Sequence, residues 1–296
     1  MKVLNFGSLN VDYFYQVEHL ALPGETISSE NLTITTGGKG LNQSIALSKA
    51  GITPFHAGAI GKADGDMLKD YLENNGVNID FIEAFPGSSG HAIIQVDKHG
   101  QNCIVLFGGA NQQIGNAFVD RVLENFCNGD IVLLQNEISS VAYIMEIAYK
   151  RGMKIYFNPS PANSKLKEYP IHYVDTLILN EVEGEQLAGE SNVHHILGAL
   201  LRKYPEIKIV LTLGERGVAY ADKGKREYCG IYKSNVVDTT AAGDTFTGHF
   251  IGCVTKGMDI KHSLKFASAA ASIAVSRLGA ACSIPSFEEV ESFMKE

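Results

Sequence analysis

Residues Ile131–Gln135, IVLLQ, form an unbroken apolar run closed by one polar residue. A strand with one wet face alternates apolar and polar side chains. An unbroken run therefore predicts a strand covered on both faces, as in a parallel sheet. The rest of the chain supports that reading. Further strand patterns fall at 3–7, 154–157, 176–179, 207–213 and 236–237. Helix patterns alternate with them at 40–50, 66–75, 141–151, 181–188, 193–203, 246–255 and 262–277. Gly51, Gly76 and Gly152 stand where helices end, and Pro205 follows another. Alternating strands and helices predict an α/β fold in which helices flank a mostly parallel sheet.

Two regions break that rhythm. Residues 13–36 contain YFYQV and ETISSENLTITT, and residues 91–107 read HAIIQVDKHGQNCIVLF, two alternating runs around Lys98-His99-Gly100. Both predict antiparallel strands joined by hairpin turns. A small β sheet projecting from the α/β body follows, able to cover a site or to offer an exposed edge to a second copy. No internal repeat, low-complexity tract or linker interrupts the chain, so a single domain over residues 1–296 is expected.

Composition narrows the partners. Apolar residues make up 45% of the chain, enough for a large core. The formal charge is −8 and no window is rich in Lys and Arg, which argues against nucleic acid and acidic membrane surfaces. No apolar run is long enough to cross a bilayer, and the opening MKVLNFGS reads as a strand rather than a signal peptide. The five cysteines are scattered without a C-x-x-C pair, as expected of reduced thiols in a cytoplasmic protein.

In an open parallel sheet, ligands sit beyond the carboxyl ends of the strands. Here those ends carry Asn10 and Asp12, Asn136 and Glu137, Asn158, Asn180 and Glu183, Gly214 to Gly217, and a stretch from Asp238 to Asp244. Each alone has an ordinary explanation, because Asn and Asp build turns and cap helices. Asn180 and Glu183 have capping-box spacing. Their accumulation at one edge predicts a polar rim able to grip hydroxyls and phosphates.

Two helix entries carry small residues. In TGGKGLNQ, residues 36–43, a polyol would lie against bare backbone at Gly37, Gly38 and Gly40, with Lys39 and Asn42 donating. A flexible turn into the helix is the plainer alternative. The stretch is not a P-loop, and no G-x-G-x-x-G follows the first strand. In DTTAAGDTFTG, residues 238–248, Ala241, Ala242 and Gly243 precede an acid at a helix start. Unpaired N–H groups and the helix dipole make an anion site there, and Asp244 is either an N-cap or a base beside the anion. Phosphoryl transfer needs both features: fixed donors for the moving group and a base for the attacking hydroxyl.

These two stretches, with AGAIGKADGD downstream of the first, resemble the signature regions of the ribokinase-like carbohydrate kinases. The likeness runs from GSLNVD to SRLGAACSIP. It implies a three-layer α/β/α fold with a β lid, formed here by residues 13–36 and 91–107. It implies transfer of the ATP γ-phosphoryl group to the O5 hydroxyl of D-ribose. Deoxyribose, another pentose or hexose, or a nucleoside is the alternative acceptor. A non-catalytic sugar-binding regulator is a third reading, against which the retention of Asp244 argues. By this likeness Asn10, Asp12, Gly38, Lys39, Asn42 and Glu137 hold the sugar, Asp244 is the base, and the N–H groups of Ala241, Ala242 and Gly243 form an anion hole. Asn180 and Glu183 match a motif associated with phosphate and Mg2+. Thr212, Gly214, Glu215 and Gly217 of TLGERG match a nucleotide-binding loop. A K+ ion is implied at Asp238, Thr240, Ala274, Arg277, Gly279 and Ser283, mostly through backbone carbonyls. The lid implies a homodimer, with Ile27, Ile34, Ile93, Ile94 and Val96 as its apolar face.

Overall fold

The computed structural model describes residues 1–295. The chain opens with strands β1 (Val3–Phe6), β2 (Asn10–Gln16) and β3 (Asn31–Gly37). It continues through helix α1 (Lys39–Lys49), β4 (Phe55–Gly61), α2 (Asp66–Asn74), β5 (Asn78–Phe85), β6 (Gly90–Val96) and β7 (Asn102–Phe107). Then come α3 (Asn116–Leu123), β8 (Ile131–Gln135), α4 (Val141–Lys150), β9 (Lys154–Asn158), β10 (Thr176–Asn180), α5 (Glu181–Ala188) and α6 (Val193–Lys203). The last third adds β11 (Lys208–Thr212), β12 (Val218–Ala221), β13 (Arg226–Cys229), α7 (Ala242–Thr255), α8 (Ile260–Ala274) and α9 (Phe287–Phe293).

Nine strands form the central sheet in the order β13-β12-β11-β10-β9-β8-β1-β4-β5. Neighbours from β11 through β5 pair in parallel, and β12 and β13 extend the sheet as an antiparallel edge. Every residue of β8 is buried, as its unbroken apolar run requires. Successive strand residues point to opposite faces. Leu4, Phe6 and Leu134 therefore join one core with Val119 of α3, Ile144 of α4 and Ile196 of α6. Val3 and Leu133 join a second core with Leu47 of α1, Phe250 of α7 and Leu264 of α8. Fully burying each such side chain contributes roughly 1.5–3 kcal/mol. The result is helix, sheet and helix in three layers. No helix among the described residues is long and apolar enough to cross a membrane.

One contact between helices places the site. Gly248 and Gly252 of α7 face Ala46 of α1 and Ala50, which caps its end, and a methyl on Gly252 would stand 2.6 Å from the Ala50 Cβ. The small residues let the two helices touch backbone to backbone. That contact brings the start of GGKGLNQ beside the start of AAGDTFTG.

The second sheet has the order β3-β2-β6-β7. Its outer pairs are antiparallel, but the central pair, β2 with β6, is parallel, where hairpins alone were expected. The reason is topological: β2 follows β1 and β6 follows β5, and β1 and β5 run in the same direction in the main sheet. The register also corrects the expected apolar face. Ile34, Tyr13, Ile93 and Val105 are cross-strand partners on one face, while Thr33, Phe14, Ile94 and Ile104 occupy the other. Ile93 and Ile94 thus point opposite ways; Ile94 is buried and Ile93 exposed. Ile27 lies outside the strands, and Val96 shares the Ile94 face. Exposed Ile104, Val105, Leu106 and Phe107 of β7 were not anticipated.

Residues 236–237 are not a strand. Both valines are exposed, and Val237 and Asp238 donate their N–H groups to the Val275 carbonyl. The hairpin of β12 and β13, unread in the sequence, occupies that edge of the sheet. The helix expected from residue 246 begins earlier, at Ala242.

Candidate active site

At the carboxyl edge of the parallel strands, the residues just after β1 abut the start of α1, with β2 and β3 lying between them in the chain. The Leu41 N–H donates to the Ser8 carbonyl at 3.0 Å, and the Gly40 N–H donates to Ser8 Oγ at 3.1 Å. The Ser8 hydroxyl in turn donates to Glu137 Oε2, which also accepts the Lys39 N–H at 3.0 Å. Ser8 was not singled out from the sequence, yet it joins GSLNVD, GGKG and Glu137 into one corner.

Asn10 and Asp12 sit at the start of β2. Asn111 holds Asn10, donating from Nδ2 to Asn10 Oδ1 at 2.8 Å, and its own Oδ1 accepts the Leu9 N–H at 3.0 Å. Asn111 was also missed, since it lies on a short turn with no pattern of its own. Burial, and then the charge of Glu137, push the Asp12 carboxyl up to about 6. Burial likewise pushes Glu137 up, against the Lys39 ammonium and the Ser8 hydroxyl. Asp244 first, with Glu137 and Glu183 behind it, holds the Lys39 ammonium above its ordinary range against the burial that lowers it. Lys39 is therefore charged at neutral pH. It forms no salt bridge among the described residues.

Asp244 lies in the first turn of α7 and is buried, 6% exposed. Asn42 Nδ2 donates to its Oδ2 at 3.1 Å, and Gln43 Nε2 donates to its Oδ1 at 2.8 Å. Asn42 Oδ1 is then left buried with no partner among the described residues. Such an acceptor is costly unless a ligand fills it. Ala241 precedes the helix with φ 58°, in the left-handed region. The Ala242 N–H reaches the Thr239 carbonyl at 3.3 Å, whereas the N–H groups of Ala241, Gly243 and Asp244 have no hydrogen-bond partner among the described residues. The open donors are thus shifted from the expected set: Ala242 is occupied and Asp244 joins.

A cavity of about 220 Å³ opens at this point. Lys39, Asn158, Asn180, Glu183, Thr212, Thr239, Ala241 to Asp244 and Thr247 are among its walls. Asn180 and Glu183 form the capping box of α5: Asn180 Oδ1 accepts the Glu183 N–H at 3.0 Å, and Glu183 Oε2 accepts the Asn180 N–H at 2.8 Å. The ordinary reading of that pair is therefore correct, and both residues still face the cavity. Gly214, Glu215 and Gly217 lie in the turn just beyond Thr212. Gly38, Lys39 and the Asn42–Asp244 bond connect the corner of Asn10, Asp12 and Glu137 to this cavity.

The third expected cluster lies behind α7. Asp238 Oδ1 accepts the Thr240 N–H and hydroxyl at 2.9 and 2.6 Å, and Oδ2 accepts the Gly279 N–H at 2.9 Å. Burial opposes ionisation, yet the Thr240 and Gly279 bonds hold the Asp238 carboxyl below its ordinary range. Arg277 donates to the Ser283 carbonyl at 3.4 Å, and the Ala274 carbonyl accepts the Arg277 N–H at 3.0 Å. The turn before α7 is thereby tied to the segment after α8.

Comparison with known proteins fits this geometry. The model of the pfkB family carbohydrate kinases matches residues 1–286. A ribokinase of Staphylococcus aureus is 34% identical, over 98% of this chain and 98% of its own. The crystal structure of Thermotoga maritima ribokinase superposes with TM-score 0.90 at 34% identity, covering 100% of both chains. Arabidopsis thaliana ribokinase complexed with ribose and ATP superposes with TM-score 0.88 at 29% identity, over 100% of this chain and 99% of that one. With a matching family model over nearly its whole length and the two signature helix starts joined at one buried carboxylate, the chain belongs to the pfkB family of carbohydrate kinases.

Proposed function

We propose that this chain transfers the γ-phosphoryl group of ATP to the O5 hydroxyl of D-ribose, giving ribose 5-phosphate and ADP. The observation that carries this reading is Asp244. It is buried, oriented by Asn42 and Gln43, and placed beside open N–H groups at a helix start. Asn10, Asp12, Gly38, Asn42 and Glu137 form the sugar end, where the unpartnered Asn42 oxygen would accept a hydroxyl. Asn180, Glu183, Thr212, Gly214, Glu215 and Gly217 form the nucleotide end. Lys39 stands between them, and its ammonium offsets charge on the moving group. In the transfer the O5–H proton passes to Asp244, the O5–P bond forms, and the bond from phosphorus to the bridging oxygen of ADP breaks. Donors at Ala241, Gly243 and Asp244 receive the charge on the equatorial oxygens.

A coupled assay of ADP release with pentoses, hexoses and nucleosides tests the reading. Ribose is expected to show the highest kcat/KM. A nucleoside or hexose in first place would replace the acceptor, and sugar binding without ADP release would replace catalysis by regulation.

Two ions complete the proposal. Mg2+ would neutralise phosphate charge near Asn180 and Glu183, hard oxygen donors suited to an ion that keeps much of its water. K+ would sit among Asp238, Thr240, Ala274, Arg277, Gly279 and Ser283. One carboxylate with several carbonyls suits a large, weakly hydrated cation, and the bonds of Asp238 tie that cluster to the turn carrying the anion hole. After removal of monovalent ions, activity is expected to return with potassium and far less with sodium; equal rates would reject the site.

Ionised Asp12 is the form that accepts sugar hydroxyls. Its carboxyl titrates near 6, so the ionised fraction falls as pH drops through that value. KM for ribose is expected to rise below about pH 6, and Asp12→Asn to raise KM at all pH values while removing that dependence. A wild-type KM flat from pH 5 to 8 would contradict the assignment.

The second sheet is assigned as lid and dimer surface, because exposed apolar residues cluster on β7 and both sheet edges are open. Leu106→Asp is expected to shift a dimer to a monomer in sedimentation; an unchanged sedimentation coefficient would count against it. A cytoplasmic setting suits the five unpaired cysteines, so dithiothreitol is expected to leave activity unaltered.

A further inference from the structure

We propose that Gln43 is a positioning residue for the transfer. Its side-chain amide is locked so that it can only donate to Asp244, which fixes the plane of that carboxylate against the acceptor hydroxyl. This rests on the assignment of Asp244 as the base.

Hydrogen-bond polarity sets the lock, and two backbone carbonyls anchor it. At one end, the Gly40 carbonyl can only accept, so Asn5 turns Nδ2 to it at 2.7 Å. Asn5 Oδ1 then accepts from Gln135 Nε2 at 2.9 Å, and the same Nε2 donates to Gln43 Oε1 at 2.7 Å. At the other end, the Ile178 carbonyl takes Asn158 Nδ2 at 2.9 Å, which turns Asn158 Oδ1 toward Gln43 Nε2 at 3.2 Å. Both ends therefore demand the same orientation of Gln43. Flipping its amide would place Oε1 against the Asp244 carboxylate and Asn158 Oδ1, and would set Nε2 against Gln135 Nε2. Three of these side chains, Asn5, Gln43 and Gln135, are almost wholly buried, so water cannot relieve such a clash. The NH2 of Gln43 consequently stays on Asp244 Oδ1 throughout.

A charge-assisted donor fixed in this way does two things. It holds the carboxylate in one plane, and it leaves Oδ2 as the oxygen that can turn to the acceptor hydroxyl. Gln43→Met keeps length and volume while removing both polar ends. We expect kcat to fall about 10- to 100-fold with KM for ribose little changed. The separation of kcat from KM is the readout, because a misaligned carboxylate slows the step without changing how ribose is held. A purely structural role would lower Tm and change KM together with kcat, and a near-normal kcat overturns the proposal. Gln135→Met reports separately should Gln43→Met not fold. It removes the donor to Gln43 Oε1 without touching Asp244, leaving the Asn158 end as the one remaining anchor, and is expected to lower kcat in the same direction by less; an unchanged kcat there likewise overturns it. Asp244→Asn measured alongside separates the two ideas. Near-normal turnover in that variant sinks the base assignment itself. An inactive Asp244→Asn beside an unaffected Gln43→Met sinks only the role of Gln43.

Discussion

Asp244→Asn is expected to lower kcat by about 10³-fold, since a positioned general base contributes roughly 10²- to 10⁴-fold. The substitution is close to isosteric, and the site can absorb it. Gln43 would continue to donate to the retained carbonyl oxygen at the Oδ1 position. The new NH2 would meet Asn42 Nδ2, a donor facing a donor. Asn42 Oδ1, however, is buried and unpartnered, so a half-turn of the Asn42 amide restores an acceptor there. Tm should therefore stay near that of the parent while turnover disappears. Calorimetric binding of ribose tests whether the sugar still enters, and quenched-flow measurement of ADP tests the chemical step. Turnover within tenfold of the parent, in a variant that binds ribose normally, would remove Asp244 from the base role and leave the open N–H groups as the main source of catalysis.

Much of this arrangement was legible in the sequence, for identifiable physical reasons. Burial on both faces writes an unbroken apolar run, so β8 could be read to the residue. Helix ends are written by glycine and by caps, so α5 and α6 could be as well. Close helix packing demands small residues, and AAGDTFTG carries that demand in its letters. What remained hidden depends on pairing across the chain. Whether β2 meets β6 in parallel is set by where each leaves the main sheet, and no local pattern records it. Register then decided that Ile93 and Ile94 face opposite ways. The polar network under Asp244 was half visible: Gln135 closes the apolar run of β8 and Asn158 follows the buried Ile155–Phe157 of β9, a sign of polar work at that edge. Their shared partner, Gln43, could be found only once α1 was laid across β8 and β9. Asn111 and Ser8 hold residues that were anticipated, but nothing in their own neighbourhoods marks them.

Gly40→Ala should be the most damaging change outside the cavity, although alanine normally favours a helix over glycine by about 0.5–1 kcal/mol. Gly40 is the second residue of α1 and lies against the backbone where β1 gives way to the next loop. Atoms of Gly7 and Ser8, all main chain, stand within 2.6 Å of where the new methyl carbon would be. No flexible side chain can yield, so the start of α1 must move off β1. That movement carries Lys39, Asn42 and Gln43 away from Glu137 and Asp244 and opens the Ser8 bonds. Forced overpacking costs about 1–3 kcal/mol, and displacement of catalytic groups by about 1 Å can cost 10²-fold in rate. Gly40→Ala is therefore expected to lower both Tm and kcat. Gly243→Ala provides the contrast at the other helix start, because no heavy atom beyond its own surroundings lies within 4 Å of the added methyl. Its Tm should be unchanged or slightly raised. Equal losses of Tm in the two variants would show that the tight junction of β1 and α1 is not what holds the site together.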